Sequence, residues 1–129
     1  MQVSVVTPDS SLFEGEATSV SLQAMDGRFG ILRGHAPLIA RLGHGVAEVV
    51  DGKDTHRIAV YGGFVKVQDD VVSVLAGGAE VSHGDQAEAQ GKVDAAQKAR
   101  DEAQAGGNAV DIEAADEALR RAKAFRDLF

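Results

Sequence analysis

Four histidines have the widest chemical repertoire in this chain, because imidazole can bind a metal ion or transfer a proton near neutral pH. They are His35, His44, His56 and His83. A zinc site on a helix needs two histidines three or four residues apart, and no two of these are that close. Their spacing predicts histidines that are solvated or hydrogen-bonded in loops, and no metal site.

Nucleophiles and phosphate-binding loops are the next candidates for chemistry. The chain has no Cys, and Ser10, Ser11 and Ser19 lack the Gly-x-Ser-x-Gly pattern that exposes a catalytic serine. The glycine-rich stretches at residues 43–45 and 62–63 lack the Lys-Ser/Thr pair and the helix start that hold a phosphate. The sequence therefore predicts a protein that is not an enzyme and needs no cofactor.

The charge balance indicates which partners the chain can attract. Its 129 residues include 20 Asp and Glu against 13 Lys and Arg, so the net charge is -7. So acidic a protein is repelled by nucleic-acid phosphates and anionic lipid surfaces. No stretch offers the roughly 20 apolar residues of a membrane-spanning helix, and the first residues lack a signal-peptide pattern. We expect no nucleic-acid partner and no direct insertion into a membrane.

The distribution of glycine and alanine divides the chain. Of the 15 glycines, 12 lie in residues 1–84, whereas 13 alanines lie in residues 85–129 against 8 before them. Glycine serves turns, and alanine is the best helix former. We therefore predict an α+β chain with two domains, an all-β domain at residues 1–84 and a helical hairpin at residues 85–129.

Short β-branched runs recur in the first domain between turn residues. They lie at residues 3–6, 12–17, 19–22, 45–50, 57–61, 64–68 and 71–75. Tight turns are expected at Asp26-Gly27, Asp51-Gly52 and Asp69-Asp70. This spacing is typical of a sandwich or a barrel, with a meander as the simplest strand order.

The second domain has the pattern of two helices joined by Gly-Gly-Asn at residues 106–108. Asp85 is placed to cap the first helix, which we expect to run to about Ala105, and the second is expected to begin at Asp111. The apolar faces are largely alanine and bury little area, so at about 25 cal/mol per Å² their contact contributes only a few kcal/mol. We expect an antiparallel hairpin that is held weakly and can detach.

Residues 26–39, with the sequence DGRFGILRGHAPLI, combine three glycines, two arginines and one proline. Pro37 keeps Ala36 out of helical conformation, so we predict a tightly shaped loop that carries exposed apolar residues. Such loops often bind a partner, and use as a purely structural turn is the alternative.

This segment resembles the motif of the epsilon subunit of F-type ATP synthases, which is called delta in mitochondria. TPDSSLFEGEATSV at residues 7–20, YGGFVKV at 61–67 and VVSVLAGGAE at 71–80 are similar to that family's flanking strands, in the same order. The resemblance implies an N-terminal β-sandwich of about ten strands followed by a two-helix antiparallel hairpin. It also implies a non-catalytic rotor subunit that couples proton-driven rotation of the c ring to ATP synthesis through the gamma subunit.

The resemblance implies two sets of contacts in the sandwich. A contact with the c ring is implied at Met25, Asp26, Gly27, Arg28, Phe29 and His35. A contact with gamma is implied at Tyr61, Gly62, Gly63 and Phe64. The alternative is that the glycines only shape turns, that His35 is hydrogen-bonded within its loop and that Phe64 is a core residue.

The family's nucleotide motif is altered in this chain. The motif has an apolar residue, Asp, two further residues, Arg and Ala; the matching stretch keeps Asp85 and Ala89 but has Glu88 in place of the arginine. A carboxylate repels phosphate. Asp85 and Ala89 therefore mark a degenerate nucleotide site, and we expect weak ATP binding or none.

Basic residues near the end of the second helix have two interpretations; they are Arg120, Arg121, Lys123 and Arg126. In the family that the chain resembles, such residues reach the beta subunits of the alpha/beta catalytic head when the hairpin extends, and they slow ATP hydrolysis. The alternative is a solvated helix end with favourable dipole interactions.

The resemblance thus implies three partners: the gamma subunit, the c-subunit ring and, in the inhibited state, the alpha/beta head. It also implies a peripheral membrane protein on the cytoplasmic side of the bacterial inner membrane, in preference to a plastid thylakoid. The alternative function is a stand-alone nucleotide- or ligand-binding regulatory module.

Overall fold

The computed structural model describes all residues from Met1 to Phe129 and consists of eight β-strands followed by two α-helices. The strands are β1 (Gln2–Val6), β2 (Ser11–Glu16), β3 (Ser19–Ala24), β4 (Gly27–Leu32), β5 (Leu38–Val50), β6 (Thr55–Gln68), β7 (Val71–Ala76) and β8 (Ala79–Glu80). The helices are α1 (Gln86–Gly106) and α2 (Ala109–Arg126). A β-sandwich followed by a helical pair confirms the predicted fold class.

Two long strands, β5 and β6, contribute to both layers of the sandwich. They pair along almost their whole lengths, but β7 joins β6 only at residues 63–68, and β3 joins β5 only between residues 42 and 50. The first layer is therefore β2-β1-β7 with the C-terminal half of β6 and the N-terminal half of β5. The second layer is β4-β3 with the other halves of β5 and β6 and the short β8. Because β5 and β6 count in both layers, eight strands supply the ten strand segments of the expected sandwich.

Gly62 and Gly63 mark the bend at which β6 passes from one layer to the other. Both have positive φ, 71° and 116°. Val60 before the bend and Val65 after it both lie in the core, so the core-facing residues of β6 change from even to odd numbers. The outward-facing residues of β6 consequently lie on the second layer before the bend and on the first layer after it.

The core between the two layers consists mainly of valine and isoleucine within a cluster of 17 buried residues. On β7, Val72 and Val74 are fully buried, whereas Val71 and Leu75 are exposed. This alternation fixes the strand register, because a shift by one residue would turn the core face to solvent.

Residues 26–39 are mostly strand, so the prediction of a tightly shaped loop over this segment is wrong. β4 pairs in unbroken register with the whole of β3, and Ile31 is fully buried. Cross-strand pairing and burial outweigh the low strand propensity of glycine here. Only residues 33–37 form a loop, which is tied to the β6–β7 turn by the Gly34 N–H, 2.6 Å from Asp70 Oδ1.

The strand order is not a simple meander. β1 lies parallel to β7, and β4 is an edge strand because β5 pairs with β3 instead. The chain between β4 and β5 crosses from the second layer to the first. Pairing between strands far apart in sequence leaves no local pattern, which is why the strand order differs from the prediction.

Polar caps define the ends of the two helices. Asp85 caps α1 as expected, and Gly107, with φ 74°, ends it. The Oδ1 atom of Asn108 accepts hydrogen bonds from two backbone N–H groups of the next turn, at 3.0 and 3.2 Å. Because Asn108 acts as a cap, α2 begins at Ala109 and not at Asp111.

The hairpin lies on the outer face of the second layer, with α2 against the sheet and α1 against α2. Neither helix has an apolar stretch long enough to cross a lipid bilayer. The contact with the sheet buries one small cluster, formed by Val46, Ala59, Tyr61, Ala124, Phe125 and Leu128.

Candidate interaction surfaces

The outer face of the first layer carries a row of side chains that no other element covers. Arg41, Phe64, Leu75 and Val6 are successive neighbours across β5, β6, β7 and β1. Phe64 is 50% exposed and Leu75 is 55% exposed, and both line a shallow hollow of about 410 Å³. We call Val6, Phe64 and Leu75 the apolar patch. Adjacent exposed apolar side chains of this size indicate a surface for another protein.

Charged residues of opposite sign lie on the two sides of the apolar patch. Arg41 and Lys66 are exposed on β5 and β6, and Glu14 and Glu16 are exposed on β2 at the opposite edge of the layer. A partner with the complementary charge order would be held in one orientation, because charge complementarity fixes register at an interface.

The four residues with an implied gamma contact lie on different faces. Phe64 projects from the first layer, so the alternative that it is a core residue is wrong. Tyr61 faces α2 on the second layer and is only 5% exposed, with the Arg121 guanidinium 4.2 Å from the centre of its ring. Gly62 and Gly63 form the bend between the two faces. While α2 stays docked, Phe64 is the one side chain of the four that is open to a partner.

Tyr61 is a natural reporter of whether α2 is docked. Burial of its phenol raises the pKa of Tyr61 to about 12, and the negative charge of Glu80 adds to the shift while Arg121 opposes it. Since the chain has one tyrosine and no tryptophan, the phenol absorbance and fluorescence, which lie at longer wavelengths than those of the five phenylalanines, follow this side chain alone.

The residues with an implied ring contact do not converge on one point. Met25 and Asp26 form the tip of the β3–β4 hairpin, and Met25 is 65% exposed. His35 lies in the loop at the other end of β4, about 17 Å along the strand. Its Nδ1 donates to the carbonyl oxygen of Ala36 at 2.7 Å. The hairpin tip and His35 could therefore touch one partner only if that partner spans the strand.

The remaining three residues of this set lie on β4 and face different ways. Gly27 pairs with Ala24 and has φ 145°, so the tight turn consists of the two residues before it. Phe29 packs against the core. Arg28 is exposed, and its Nη2 lies 3.9 Å from Oε1 of Glu48. Arg28 is thus the charged group that this strand offers at the surface.

The four basic residues near the end of α2 make different contacts while the hairpin is docked. Arg121 stacks on Tyr61, and Arg126 pairs with the carboxylate of the next residue at 3.1 Å. Arg120 lines a crevice of about 400 Å³ between α2 and the bend, and Lys123 is exposed. Arg121 stays exposed to solvent while it stacks on Tyr61.

The start of α1 is occupied by its own carboxylates. Oδ1 of Asp85 accepts a hydrogen bond from the N–H of Glu88 at 2.8 Å, and Ala89 is buried. The Glu88 carboxylate folds back over Gly84, where a Cβ would lie 2.5 Å from Oε2. This helix end therefore presents negative charge where a phosphate would need donors. No three His, Asp or Glu side chains lie close enough together to hold a metal ion.

The prediction of solvated or hydrogen-bonded histidines in loops is wrong for His56, which lies on β6, and for His44, whose surroundings differ most. His44 lies on β5 under α2 with its side chain 14% exposed, and its Nε2 makes no hydrogen bond and lies 3.7 Å from Oε1 of Glu117. Burial lowers the pKa of His44; Glu117 opposes the shift, and Arg120 and Arg121 add to it. Tyr61 packs edge-on against the imidazole from β6. The sequence carries no signal for this environment, because α2 is distant along the chain.

We expect docking of α2 to weaken as the pH falls below about 6.5. The released chain takes up a proton on His44 near that pH, whereas the docked chain resists protonation, so acid favours release. Between about pH 7.5 and 5.5, the melting temperature of the native chain should fall by about 2–4 °C more than that of His44→Gln. An equal pH response of the two proteins in thermal unfolding would contradict this role.

Comparisons with known proteins match both the β-sandwich and the chain as a whole. Residues 1–82 match the family described as ATP synthase, Delta/Epsilon chain, beta-sandwich domain. The chain is 40% identical over 125 residues to the ATP synthase epsilon chain of Gloeothece citriformis, covering 96% of this chain and 91% of that protein.

Two solved structures of mitochondrial ATP synthases contain similar folds. A chain in the Euglena gracilis structure of OSCP, F1 and the c-ring matches with a TM-score of 0.81 and 19% identity, covering 97% of this chain and 78% of that one. A chain in the Tetrahymena thermophila structure of the central stalk and c-ring matches with a TM-score of 0.56 and 14% identity, covering 69% of each.

Proposed function

Because the chain belongs to the ATP synthase delta/epsilon family, we propose that it acts in the central stalk, coupling c-ring rotation to ATP synthesis through gamma. It is a non-catalytic accessory subunit of ATP synthase. Its place is at the cytoplasmic face of the bacterial inner membrane, as a peripheral component held there by its partner subunits.

We propose that gamma binds at the apolar patch. Phe64 and Leu75 lie on strands whose other faces are locked into the core, so a force applied to the patch passes directly into the sandwich. A rigid, close-packed element transmits torque better than a mobile loop does. The charge order across the layer would orient the sandwich on an elongated partner.

The hairpin tip at Met25 and Asp26, with Arg28 beside it, is the proposed contact with the ring. The tip projects from the edge of the second layer, and Met25 offers an exposed apolar side chain there. In this assignment His35 shapes its own loop through the bond to Ala36 and makes no ring contact.

The helical hairpin is proposed to control ATP hydrolysis. Its docked form keeps the basic end of α2 beside the sandwich, with Arg121 against Tyr61, and its released form carries that end to the catalytic head. The docking contact is small, so binding energies of a few kcal/mol within the complex suffice to choose between the two forms.

Phe64→Glu tests the gamma contact. A charged side chain in the centre of a buried interface should lower the affinity of the chain for purified gamma subunit by about 30- to 100-fold. Isothermal titration of gamma with the native chain and with the variant measures this directly.

Val110→Glu is the matched control, since Val110 is an exposed apolar residue at the start of α2, away from the first layer. It should bind gamma like the native chain. Equal affinities of Phe64→Glu and Val110→Glu would place the gamma contact elsewhere on the molecule.

A further inference from the structure

Arg57 on β6 joins the sandwich to the C-terminal end of the hairpin. Its Nη1 donates to the carbonyl oxygen of Leu128 at 3.0 Å, and its Nη2 donates to the carbonyl oxygen of Asp127 at 2.9 Å. These are the only side-chain hydrogen bonds between residues 1–84 and residues 85–129. The other docking contacts are the apolar cluster, the stacking of Arg121 on Tyr61, the edge-on packing of His83 against Phe125 and the approach of Glu117 to His44 at 3.7 Å. None of them is a hydrogen bond.

The chemistry of a guanidinium suits the end of a helix. The last carbonyl groups of a helix lack partners within it and carry the negative end of the helix dipole. Arginine offers two parallel N–H donors on a rigid plane together with a permanent positive charge. The two carbonyls that Arg57 binds belong to the cap residue Asp127 and to Leu128 in the turn that follows it, so the fork lies at the negative end of α2. A single ammonium group could not reach both carbonyls in the same way.

Glu48 supports the guanidinium from the sheet side. It is the direct neighbour of Arg57 across β5 and β6, and its Oε1 lies 3.8 Å from Nε of Arg57. This pairing leaves both Nη groups directed to the helix end. The Arg57 side chain is 41% exposed, so its replacement leaves no buried cavity.

We propose that Arg57 is the latch of the hairpin, and that its two bonds set the fraction of chains in which α2 is released from the second layer. The latch is a property of the isolated chain. Its meaning for regulation rests on the proposed function, in which the released hairpin slows ATP hydrolysis.

Amide hydrogen exchange of the intact isolated chain measures how often α2 is released from the sheet. In Arg57→Gln, the amides of α2 should exchange about tenfold or more faster than in the native chain, because local opening exposes them. The core amides of Val72 and Val74 on β7 should keep their native rates. Quenching of Tyr61 fluorescence by acrylamide should increase in the same variant.

Two further variants complete the test. One separates the paired N–H donors of Arg57 from its positive charge, and the other is a control on the same strand. Arg57→Lys keeps the charge without the paired donors, and its α2 exchange should lie between that of the native chain and Arg57→Gln. Lys66→Gln removes an exposed positive charge from the same strand on the first layer, away from the helices, and should exchange at native rates.

The latch is overturned if α2 exchange in Arg57→Gln equals the native rate, or if the core amides of β7 accelerate by the same factor as α2. Failure of the latch leaves binding to gamma unaffected. Conversely, a chain that does not bind gamma can still show faster α2 exchange in Arg57→Gln. Failure of the latch and failure of the gamma contact therefore give different results.

Discussion

A chain that ends at Gly84 should raise the ATPase activity of the assembled complex by about fivefold or more, a factor within the usual range of coupling between two sites. The deletion removes the basic end of α2, which is the proposed contact with the catalytic head. The apolar patch and the Met25–Asp26 tip both remain, so the shortened chain should still assemble. Steady-state hydrolysis by the purified complex, normalised to the amount of shortened chain incorporated, is the measurement.

A full-length chain with Arg120, Lys123 and Arg126 all replaced by Gln is the matched control, because it keeps the hairpin and loses the charge. Its activity should rise in the same direction as that of the deletion. Titration of Tyr61 checks the shortened chain: without α2 the pKa of the phenol, raised to about 12 in the intact chain, should return toward about 10. Unchanged hydrolysis in both proteins would remove the inhibitory role and leave the stalk role standing.

Gly63→Ala should lower the free energy of unfolding by about 3 kcal/mol or more, which is among the largest effects that a single methyl group can have. A Cβ at this position would lie 2.1 Å from the carbonyl oxygen of Leu75 and 2.8 Å from Cα of Ala76. Both atoms belong to the backbone of β7, so relief requires breaking the sheet. The φ of 116° is itself unfavourable for any residue with a side chain. Urea denaturation followed by circular dichroism measures the loss.

Gly62→Ala is the control for that substitution. Gly62 also has positive φ, 71°, but the nearest atom to its added Cβ is Cε1 of His44 at 3.7 Å. Gly62→Ala should therefore lower the free energy of unfolding by about 1 kcal/mol, because of the positive φ alone. If Gly63→Ala cost no more than Gly62→Ala, the close approach of β6 and β7 would not be what fixes the bend.

Local patterns are sufficient to predict most elements of this fold. The alternation at residues 71–75 predicts β7, and the Asp69-Asp70 pair predicts its hairpin; both residues have positive φ, 52° and 60°. Asp85 predicts the start of α1 because a cap acts on its own helix. The bend is harder to predict: two short runs at residues 57–61 and 64–68 are one strand, because a strand that passes from one layer to the other stays hydrogen-bonded through Gly62 and Gly63.

The interaction surfaces are less predictable, since they depend on which elements meet. Tyr61 and Phe64 lie three residues apart, yet the bend places them on opposite faces of the sandwich. His44 and Arg57 give no signal in the sequence, because α2 approaches them only in the folded chain. The resemblance to a known family implies a region for each contact, but only the fold indicates which side chains in that region are open to a partner.

In the proposed function, the two outer faces of the sandwich have separate roles. The first layer leaves the apolar patch open, and the second layer is covered by a hairpin that one arginine and a small cluster hold in place. With the proposed gamma contact on the first layer, gamma would stay bound whether the hairpin is docked or released.

Binding of gamma to the unmodified chain, compared with the chain that ends at Gly84, tests this arrangement most directly. The two should form one-to-one complexes with gamma with dissociation constants that agree within about twofold, because the proposed contact surface lies wholly on the first layer. Absence of any complex, or a large loss of affinity when the hairpin is removed, would contradict the assignment of the first layer as the stalk-binding face.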